Sequence, residues 1–221
     1  MKVLLFGGTG MVGQGALREC LVDDRVTDVL AVGRSPVDQN HAKLHQLLHK
    51  DLLDLTAIES DLAGYDACLF CLGISSFRMS EDDYRRVTYE YALSVARTLT
   101  KLNPGSVFEY VSGAGTDSSE SGRQMWARVK GKTENDLLAL SLDAYMLRPG
   151  IIQPQNGIKS KTRLYSAAYT AAKPLLGVLK RVSPNTVITN EELGRAMIAI
   201  AAYGAPERVL EMKDLRAVIA R

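Results

Sequence analysis

Cysteine, tryptophan and long apolar runs are scarce in this sequence of 221 residues. It has three cysteines, which are too few for the disulfide framework of a small secreted protein. No stretch approaches the roughly 20 consecutive apolar residues that cross a membrane. The apolar run at residues 2–6 leads straight into glycines and lacks the core and cleavage site of a secretory signal. We therefore expect a cytoplasmic protein with no transmembrane segment.

Acidic residues are missing from one long tract, which runs from Ala144 to Asn190. The tract contains seven basic residues: Arg148, Lys159, Lys161, Arg163, Lys173, Lys180 and Arg181. Because the whole chain carries a formal net charge of +2, the remainder carries −5. A near-neutral total argues against nucleic-acid binding, but it hides one basic segment in an otherwise acidic protein.

Short apolar runs alternate with segments of helical periodicity along the chain. The predicted strands are residues 2–6, 28–32, 44–49, 67–72, 106–111, 144–147 and 208–212, and the predicted helices are residues 11–22, 55–62, 81–102, 123–142, 190–202 and 213–220. Asn190 is predicted to cap the helix at residues 190–202. Unbroken apolar strands that alternate with helices indicate a parallel sheet covered on both faces. We predict an α/β fold with a Rossmann-type doubly wound parallel sheet, three layers α/β/α, and one domain over residues 1–221.

A glycine-rich turn follows the first predicted strand. Gly7, Gly10 and Gly13 form the pattern G-x-x-G-x-x-G, which opens the first helix. Glycines permit a tight turn and close approach of a pyrophosphate, and the helix start offers N–H groups and a positive dipole end to the anion. In this strand-turn-helix context the pattern predicts dinucleotide binding.

The residues after the second predicted strand indicate which dinucleotide binds. Many NAD sites place a carboxylate here for the ribose 2′-hydroxyl, but this chain has Arg34 and Ser35. A guanidinium and a hydroxyl suit a 2′-phosphate, so we predict NADP, with NAD as the alternative. After the third strand, Asp51 and Leu52 are predicted to lie at the adenine, and Asp54 either joins them or caps the next helix.

Two groups of cysteine or histidine residues have the spacing of metal ligands, but their predicted positions indicate structural roles. Cys68 and Cys71 match C-x-x-C, but they fall in a predicted strand, where positions three apart face opposite ways. His41, His45 and His49 have helical spacing, but the segment ends in a predicted strand, on which they would lie about 13 Å apart. We predict no metal site.

An ordered set of short motifs carries a family resemblance. The set comprises Gly7 to Gly13, Arg34, Asp51, Cys71-Leu72-Gly73, Val111-Ser112-Gly113, Val129-Lys130-Gly131 and Arg148-Pro149-Gly150. In this order the chain resembles the atypical short-chain dehydrogenase/reductases, and within them the group of the oxidoreductase-like Tat-interacting protein. The resemblance spans residues 1–157. It implies cofactor contacts from Gly7, Thr9, Gly10, Met11, Val12, Gly13, Arg34, Ser35, Asp51, Leu52, Cys71, Leu72, Gly73, Lys130, Pro149 and Gly150.

The resemblance also implies catalytic roles. That family uses a serine, a tyrosine and a lysine, which implies Ser112 at the substrate oxygen and Lys130 at the nicotinamide ribose. The tyrosine should stand four residues before the lysine, but that position holds Trp126. An indole N–H donates a hydrogen bond and does not transfer a proton near neutral pH. The one Tyr-x-x-x-Lys pattern of the chain, Tyr169 to Lys173, falls too late in the chain for the catalytic helix.

These observations lead to one functional expectation and one alternative. We expect an NAD(P)-binding oxidoreductase, an NADP(H)-dependent reductase or dehydrogenase of an unknown small substrate. The alternative is a catalytically impaired cofactor-binding sensor or scaffold, which Trp126 favours. Residues 151–190 are expected to cover the substrate side. The basic amphipathic stretch 159–181 would then serve as a lid, as a surface for a partner protein or anionic membrane, or as an ordinary solvated helix pair.

Overall fold

The computed structural model describes residues 1–157 and 185–220. Its centre is a sheet of seven strands in which every neighbouring pair runs parallel. These strands are β1 (Lys2–Phe6), β2 (Asp28–Gly33), β3 (Leu44–Leu48), β4 (Ala67–Phe70), β5 (Val107–Val111), β6 (Asp143–Arg148) and β9 (Val209–Glu211). Two short strands, β7 (Ile151–Gln153) and β8 (Val187–Thr189), pair with each other in a second sheet.

The spatial order of the strands locates the binding edge. The order is β3-β2-β1-β4-β5-β6-β9, so the chain builds outward from β1 in one direction and then in the other. In such sheets ligands bind outside the carboxyl ends of the strands, at the point where the direction reverses. That point lies between β1 and β4. The order confirms the predicted Rossmann-type doubly wound sheet.

Helices cover both faces of the sheet. Helices α1 (Met11–Val22), α6 (Asn190–Tyr203) and α7 (Met212–Ile219) pack on one face, and α2 (Glu59–Leu62), α4 (Tyr91–Leu102) and α5 (Met125–Leu138) pack on the other. Helix α3 (Glu81–Arg85) joins α4 through one π-helical turn. Among the described residues, no helix is long and apolar enough to span a bilayer.

The strands are apolar throughout because each contributes to two cores. In β1, Val3 and Leu5 face α1 and α6, whereas Leu4 and Phe6 face α4. Cys68 and Cys71 follow the same alternation and pack into opposite cores, as predicted. Burial raises the pKa of both thiols well above the usual range, so they remain protonated packing groups.

The start of α6 differs from the prediction. We expected Asn190 to cap this helix, but Thr189 is the cap: its hydroxyl accepts from the N–H of Glu192, and the Glu192 carboxylate accepts from the N–H of Thr189. Strand β8 runs directly into α6, so the extended residue is Thr189 and the cap lies one position earlier. Asn190 is buried and accepts a hydrogen bond from the N–H of Gln155.

The remaining differences concern boundaries. The helix predicted over 123–142 is shorter, and the one over 55–62 is a 3₁₀ turn (Thr56–Ile58) followed by α2. The Tyr169 to Lys173 pattern and all of the stretch 159–181 lie outside the described residues.

Candidate functional site

The glycine turn between β1 and α1 forms a backbone cradle. Side chains at its glycine positions would overlap with neighbouring backbone atoms. A Cβ on Gly7, whose φ is +83°, would lie 2.6 Å from the backbone nitrogen of Leu72 at the end of β4. A Cβ on Gly13 would lie 2.2 Å from the carbonyl oxygen of Gly7. The N–H of Gly10 donates to that same oxygen at 2.9 Å and closes the turn. Two of the three glycines are therefore required by close backbone packing.

The third glycine leaves the helix start open. Gly10 is the residue before α1, and the nearest atom to a Cβ there would be the Gly7 oxygen at 3.3 Å. The first turn of α1 contains no acidic residue, so nothing opposes an anion at the positive end of the helix dipole. The open cradle and the N–H groups of Met11 and Val12 fit the pyrophosphate of a dinucleotide.

Arg34 and Ser35 lie at the end of β2, beside the cradle. Both are exposed, and β2 is the immediate neighbour of β1. Within the described part of the chain, the Arg34 guanidinium has no hydrogen-bond or ion-pair partner. Its position at the carboxyl end of β2 fits the ribose end of a dinucleotide.

The predicted adenine contacts fall into a local turn after β3. Asp51 is exposed, and its carboxylate accepts from the N–H of Leu53 at 3.0 Å. The side chain of Leu52 is buried under the turn. The Asp54 carboxylate accepts from both the N–H and the hydroxyl of Thr56, which is a local turn and not a helix cap, because the residue before the 3₁₀ turn is Leu55 and no side chain caps it. The contact between Asp51 and adenine stays a prediction.

Two further predicted segments follow β4 and β6. After β4, the backbone of Cys71 and Leu72 packs against Gly7, and a Cβ on Gly73 would meet no atom of the described residues within 4 Å. After β6, the carbonyl oxygen of Pro149 accepts from the N–H of Ala114 at 2.8 Å. The Pro149 turn is thereby fixed to the loop that follows β5.

The catalytic end contains Ser112, directly after β5, and Lys130, on α5. The Lys130 ammonium donates to the carbonyl oxygen of Ser112. The Ser112 hydroxyl donates to the Glu134 carboxylate at 2.5 Å and to the carbonyl oxygen of Leu147 at 3.1 Å. The fold thus brings the two predicted residues together, 18 positions apart in the chain. Their catalytic roles stay predictions.

Glu134 and Arg148 complete this group, and sequence reasoning did not assign them a joint role. Glu134 is buried, and the Arg148 guanidinium pairs with its carboxylate through two nitrogens. Arg148 also contacts the Glu211 carboxylate at 3.2 Å and the Ser118 hydroxyl at 2.5 Å. One available signal was the spacing of Lys130 and Glu134, which are four residues apart and share a helix face.

Burial and charge together set the pKa of Lys130. Removal from water disfavours the ammonium and lowers the pKa from 10.5 to about 8, while the nearby negative charge of Glu134 opposes that shift. An amine with this pKa exchanges a proton readily near physiological pH.

Trp126 occupies the helical turn before Lys130, and its ring packs on the loop after β5. A Cβ on Gly115 would lie 3.4 Å from the indole ring, an ordinary contact, and the φ of +84° is what favours glycine at this position. Among the described tyrosines, the hydroxyls of Tyr65, Tyr89 and Tyr145 bond to Asp28, Asp136 and Asp143. No described tyrosine hydroxyl bonds to Lys130.

Comparisons with known proteins agree with this geometry, although no protein-family model matches the chain. The chain is 25% identical to Protein HTATIP2 of Rattus norvegicus over 155 residues, which are 68% of this chain and 62% of the rat protein. It is also 25% identical to Protein FMP52-2, mitochondrial, of Scheffersomyces stipitis over 216 residues, which are 94% and 90% of the two chains. Both likenesses support the resemblance to the atypical short-chain dehydrogenase/reductases.

Solved structures show the same fold. A UDP-N-acetylglucosamine 4-epimerase from Methanobrevibacter ruminantium superposes with a TM-score of 0.69 at 16% identity, over 94% of this chain and 74% of the epimerase. A short chain dehydrogenase family protein from Francisella tularensis gives a TM-score of 0.64 at 14% identity, over 92% and 91% of the two chains. The chain therefore combines the Rossmann-type fold of these structures with a tryptophan one helical turn before Lys130.

Proposed function

We propose that the protein is an NADP(H)-dependent oxidoreductase that reduces a carbonyl group of a small substrate. The observation that carries the proposal is the position of two features at one edge of the sheet. The glycine cradle follows β1, and the buried Ser112 with the partly buried Lys130 follows β5. Only β4 separates these strands, so an extended dinucleotide with its pyrophosphate in the cradle would reach Lys130 with its nicotinamide.

In this proposal, each residue of the candidate site has a specific role. The nicotinamide supplies hydride chemistry when it is bound. Met11 and Val12 hold the pyrophosphate through backbone N–H groups, and Arg34 pairs with the ribose 2′-phosphate. Lys130 binds the nicotinamide ribose, and the Ser112 turn lies where the substrate oxygen would approach. The protonated thiols and the three free cysteines suit a reducing, cytoplasmic compartment.

The single tryptophan of the chain provides the binding test. Trp126 lies one helical turn from Lys130, so NADPH bound as proposed should quench its emission by energy transfer to the reduced nicotinamide. We expect saturable quenching by NADPH, weaker quenching by NADH, and consumption of NADPH with members of a panel of carbonyls and quinones. Trp126→Phe is the control for the origin of the signal. Absence of quenching by either nucleotide, confirmed by calorimetry, would reject the proposal.

The same experiment separates the second candidate function, a cofactor-binding sensor. Trp126 supports that candidate because it occupies the position at which the family has a tyrosine, and an indole cannot replace the tyrosine's phenol as a proton donor. Tight binding of NADPH with no turnover of any panel member, in the wild type and in Trp126→Tyr, would favour the sensor over the reductase; binding to Trp126→Tyr is measured by calorimetry, because that variant has no tryptophan. The basic stretch 159–181 would then be the proposed contact with a partner protein or an anionic membrane.

Reversing the charge of Arg34 should reverse the cofactor preference. In Arg34→Asp a favourable charge-assisted contact with the 2′-phosphate becomes a repulsion, so NADPH affinity should fall about 100-fold. Affinity for NADH should stay within about threefold of the wild type, because NADH lacks that phosphate. The measurement is a Trp126 quenching titration with each nucleotide.

The matched control for this substitution is Arg97→Asp, which reverses one charge at an exposed position of α4. It should leave both affinities unchanged. An Arg34→Asp protein that still prefers NADPH would disprove the 2′-phosphate contact without affecting the rest of the proposal.

A further inference from the structure

The proposed reduction lacks a proton donor at the position where the family has one. The residue one turn before Lys130 is Trp126, and an indole does not release a proton near neutral pH. The Ser112 hydroxyl has one proton, which it shares between the Glu134 carboxylate and the Leu147 carbonyl oxygen. This proton is therefore directed into the protein, away from the substrate side.

The Lys130 ammonium, in contrast, carries more protons than its described hydrogen bond uses. It carries three N–H groups, and one of them donates to the carbonyl oxygen of Ser112. The next residue is Gly113, whose φ is +133°, and a Cβ there would lie 4.0 Å from the Lys130 nitrogen and 3.9 Å from the Pro149 oxygen. Because residue 113 is a glycine, no Cβ stands beside the ammonium there, and the Lys130 side chain is only partly buried.

We propose that Lys130 itself donates the proton that the substrate oxygen takes up, and that Glu134 is a positioning residue for it. The inference rests on the proposed function. The hydride leaves NADPH and forms a C–H bond at the carbonyl carbon, which leaves NADP⁺. One N–H bond of Lys130 breaks as the O–H bond of the product alcohol forms. The neutral amine then regains a proton from solvent water.

The charges around Lys130 come from three elements. Glu134 lies on the same helix, Arg148 ends β6 and pairs with Glu134, and Glu211 ends β9 and pairs with Arg148. Burial lowers the pKa of Lys130 to about 8, and Glu134 acts in the opposite direction. Glu134 thus keeps the amine protonated at neutral pH, and it holds Ser112, whose carbonyl oxygen orients the ammonium.

The first test measures the lysine directly and needs no substrate. Carbon NMR of lysine side chains in the full-length protein should show one signal that titrates with a midpoint near pH 8 and is missing from Lys130→Met. In Glu134→Gln the midpoint should move to lower pH, because a charge that favours the ammonium is gone. A Lys130 midpoint near 10.5 in the wild type would overturn the proposal.

The second test uses phenanthrenequinone as the probe substrate, with NADPH. Lys130→Arg keeps the positive charge, but a guanidinium does not release a proton at neutral pH. We expect this variant to bind NADPH within about threefold of the wild type and to reduce the probe at least about 100-fold more slowly. In the wild type the rate should fall above about pH 8, and in Glu134→Gln it should fall from a lower pH.

Lys132→Arg is the matched control, since Lys132 lies on the same helix and pairs with Asp136 at 3.0 Å away from the site. It should keep the wild-type rate and pH profile. If Lys130→Arg binds NADPH and also keeps the wild-type rate, the proton-donor role is wrong and the reductase proposal stands. If NADPH fails to quench Trp126 in the wild type, the reductase proposal itself is wrong.

Discussion

Replacing Glu109 with glutamine should make the protein more stable, by an amount that grows with pH. Glu109 lies in the middle of β5, fully buried, and neither carboxylate oxygen has a hydrogen-bond partner among the described residues. Its neighbours across the sheet are Leu69 on β4 and Tyr145 on β6. Burial without a partner raises the pKa of Glu109 well above its ordinary value of 4.5.

The sign of the effect follows from proton binding. The folded protein holds the Glu109 proton more tightly than the unfolded chain does, so the wild type has its full stability below pH 4.5. As the pH rises from there toward the folded pKa, the free energy of unfolding should fall by about 1.4 kcal/mol per pH unit. Glutamine does not titrate, so Glu109→Gln should keep the stability that the wild type loses.

Urea unfolding of the two proteins at several pH values between 5 and 8 measures this difference. Glu207→Gln, at an exposed position, is the control and should track the wild type at every pH. A difference between Glu109→Gln and the wild type that does not change with pH would show that Glu109 is ionised or paired in the folded protein.

Adding one methyl group at Gly13 should remove both cofactor binding and much of the stability. The new Cβ would lie 2.2 Å from the Gly7 oxygen and 2.9 Å from the Gly8 Cα, and both are backbone atoms of the turn itself. Neither can move unless the turn opens, so Gly13→Ala should cost about 3 kcal/mol in the free energy of unfolding. An opened turn no longer presents the N–H groups of α1 together, and we expect NADPH affinity to fall at least about 100-fold.

Two further alanine variants separate the loss of stability from the loss of NADPH binding. Gly33→Ala is the stability control, because its Cβ would first meet an atom at 3.7 Å, an ordinary contact. Gly10→Ala should lose less stability than Gly13→Ala, since its Cβ would lie 3.3 Å from the Gly7 oxygen, a tight contact and not an overlap, but it should weaken NADPH binding by blocking the pyrophosphate. Thermal unfolding and Trp126 quenching measure the two effects. A Gly13→Ala protein with wild-type stability and NADPH affinity would contradict the proposed role of the glycine turn in backbone packing and pyrophosphate binding.

Several elements could be predicted because their signals are local. The bounds of β1 and α1 match the prediction exactly at residues 2–6 and 11–22, since apolar runs and glycines mark both ends. Other boundaries moved by a few residues, as for α5, where the pattern of Arg123 to Leu142 continues beyond the hydrogen-bonded helix. The cap of α6 was assigned to Asn190 because the short strand that precedes it was not predicted.

The residues of the candidate site likewise divide into those that could be predicted and those that could not. Gly7, Gly10 and Gly13 were identifiable because a phosphate-binding turn is made by consecutive backbone groups. Glu109 was not identified, because one carboxylate in an apolar strand gives no sign of whether a partner will meet it. The pairing of Glu134 with Arg148 also escaped prediction, since the two lie on different elements that only packing brings together.

By itself, the sequence determined the order of strands and helices, the parallel sheet and the phosphate cradle, because periodicity and glycine geometry act over a few neighbouring residues. The tertiary structure alone decided that the Ser112 proton points to Glu134, that Lys130 is buried enough to lower its pKa, and that Glu109 has no hydrogen-bond partner among the described residues. These properties depend on which side chains from distant segments share a space from which water is excluded. That information arises only when the sheet and its helices have packed.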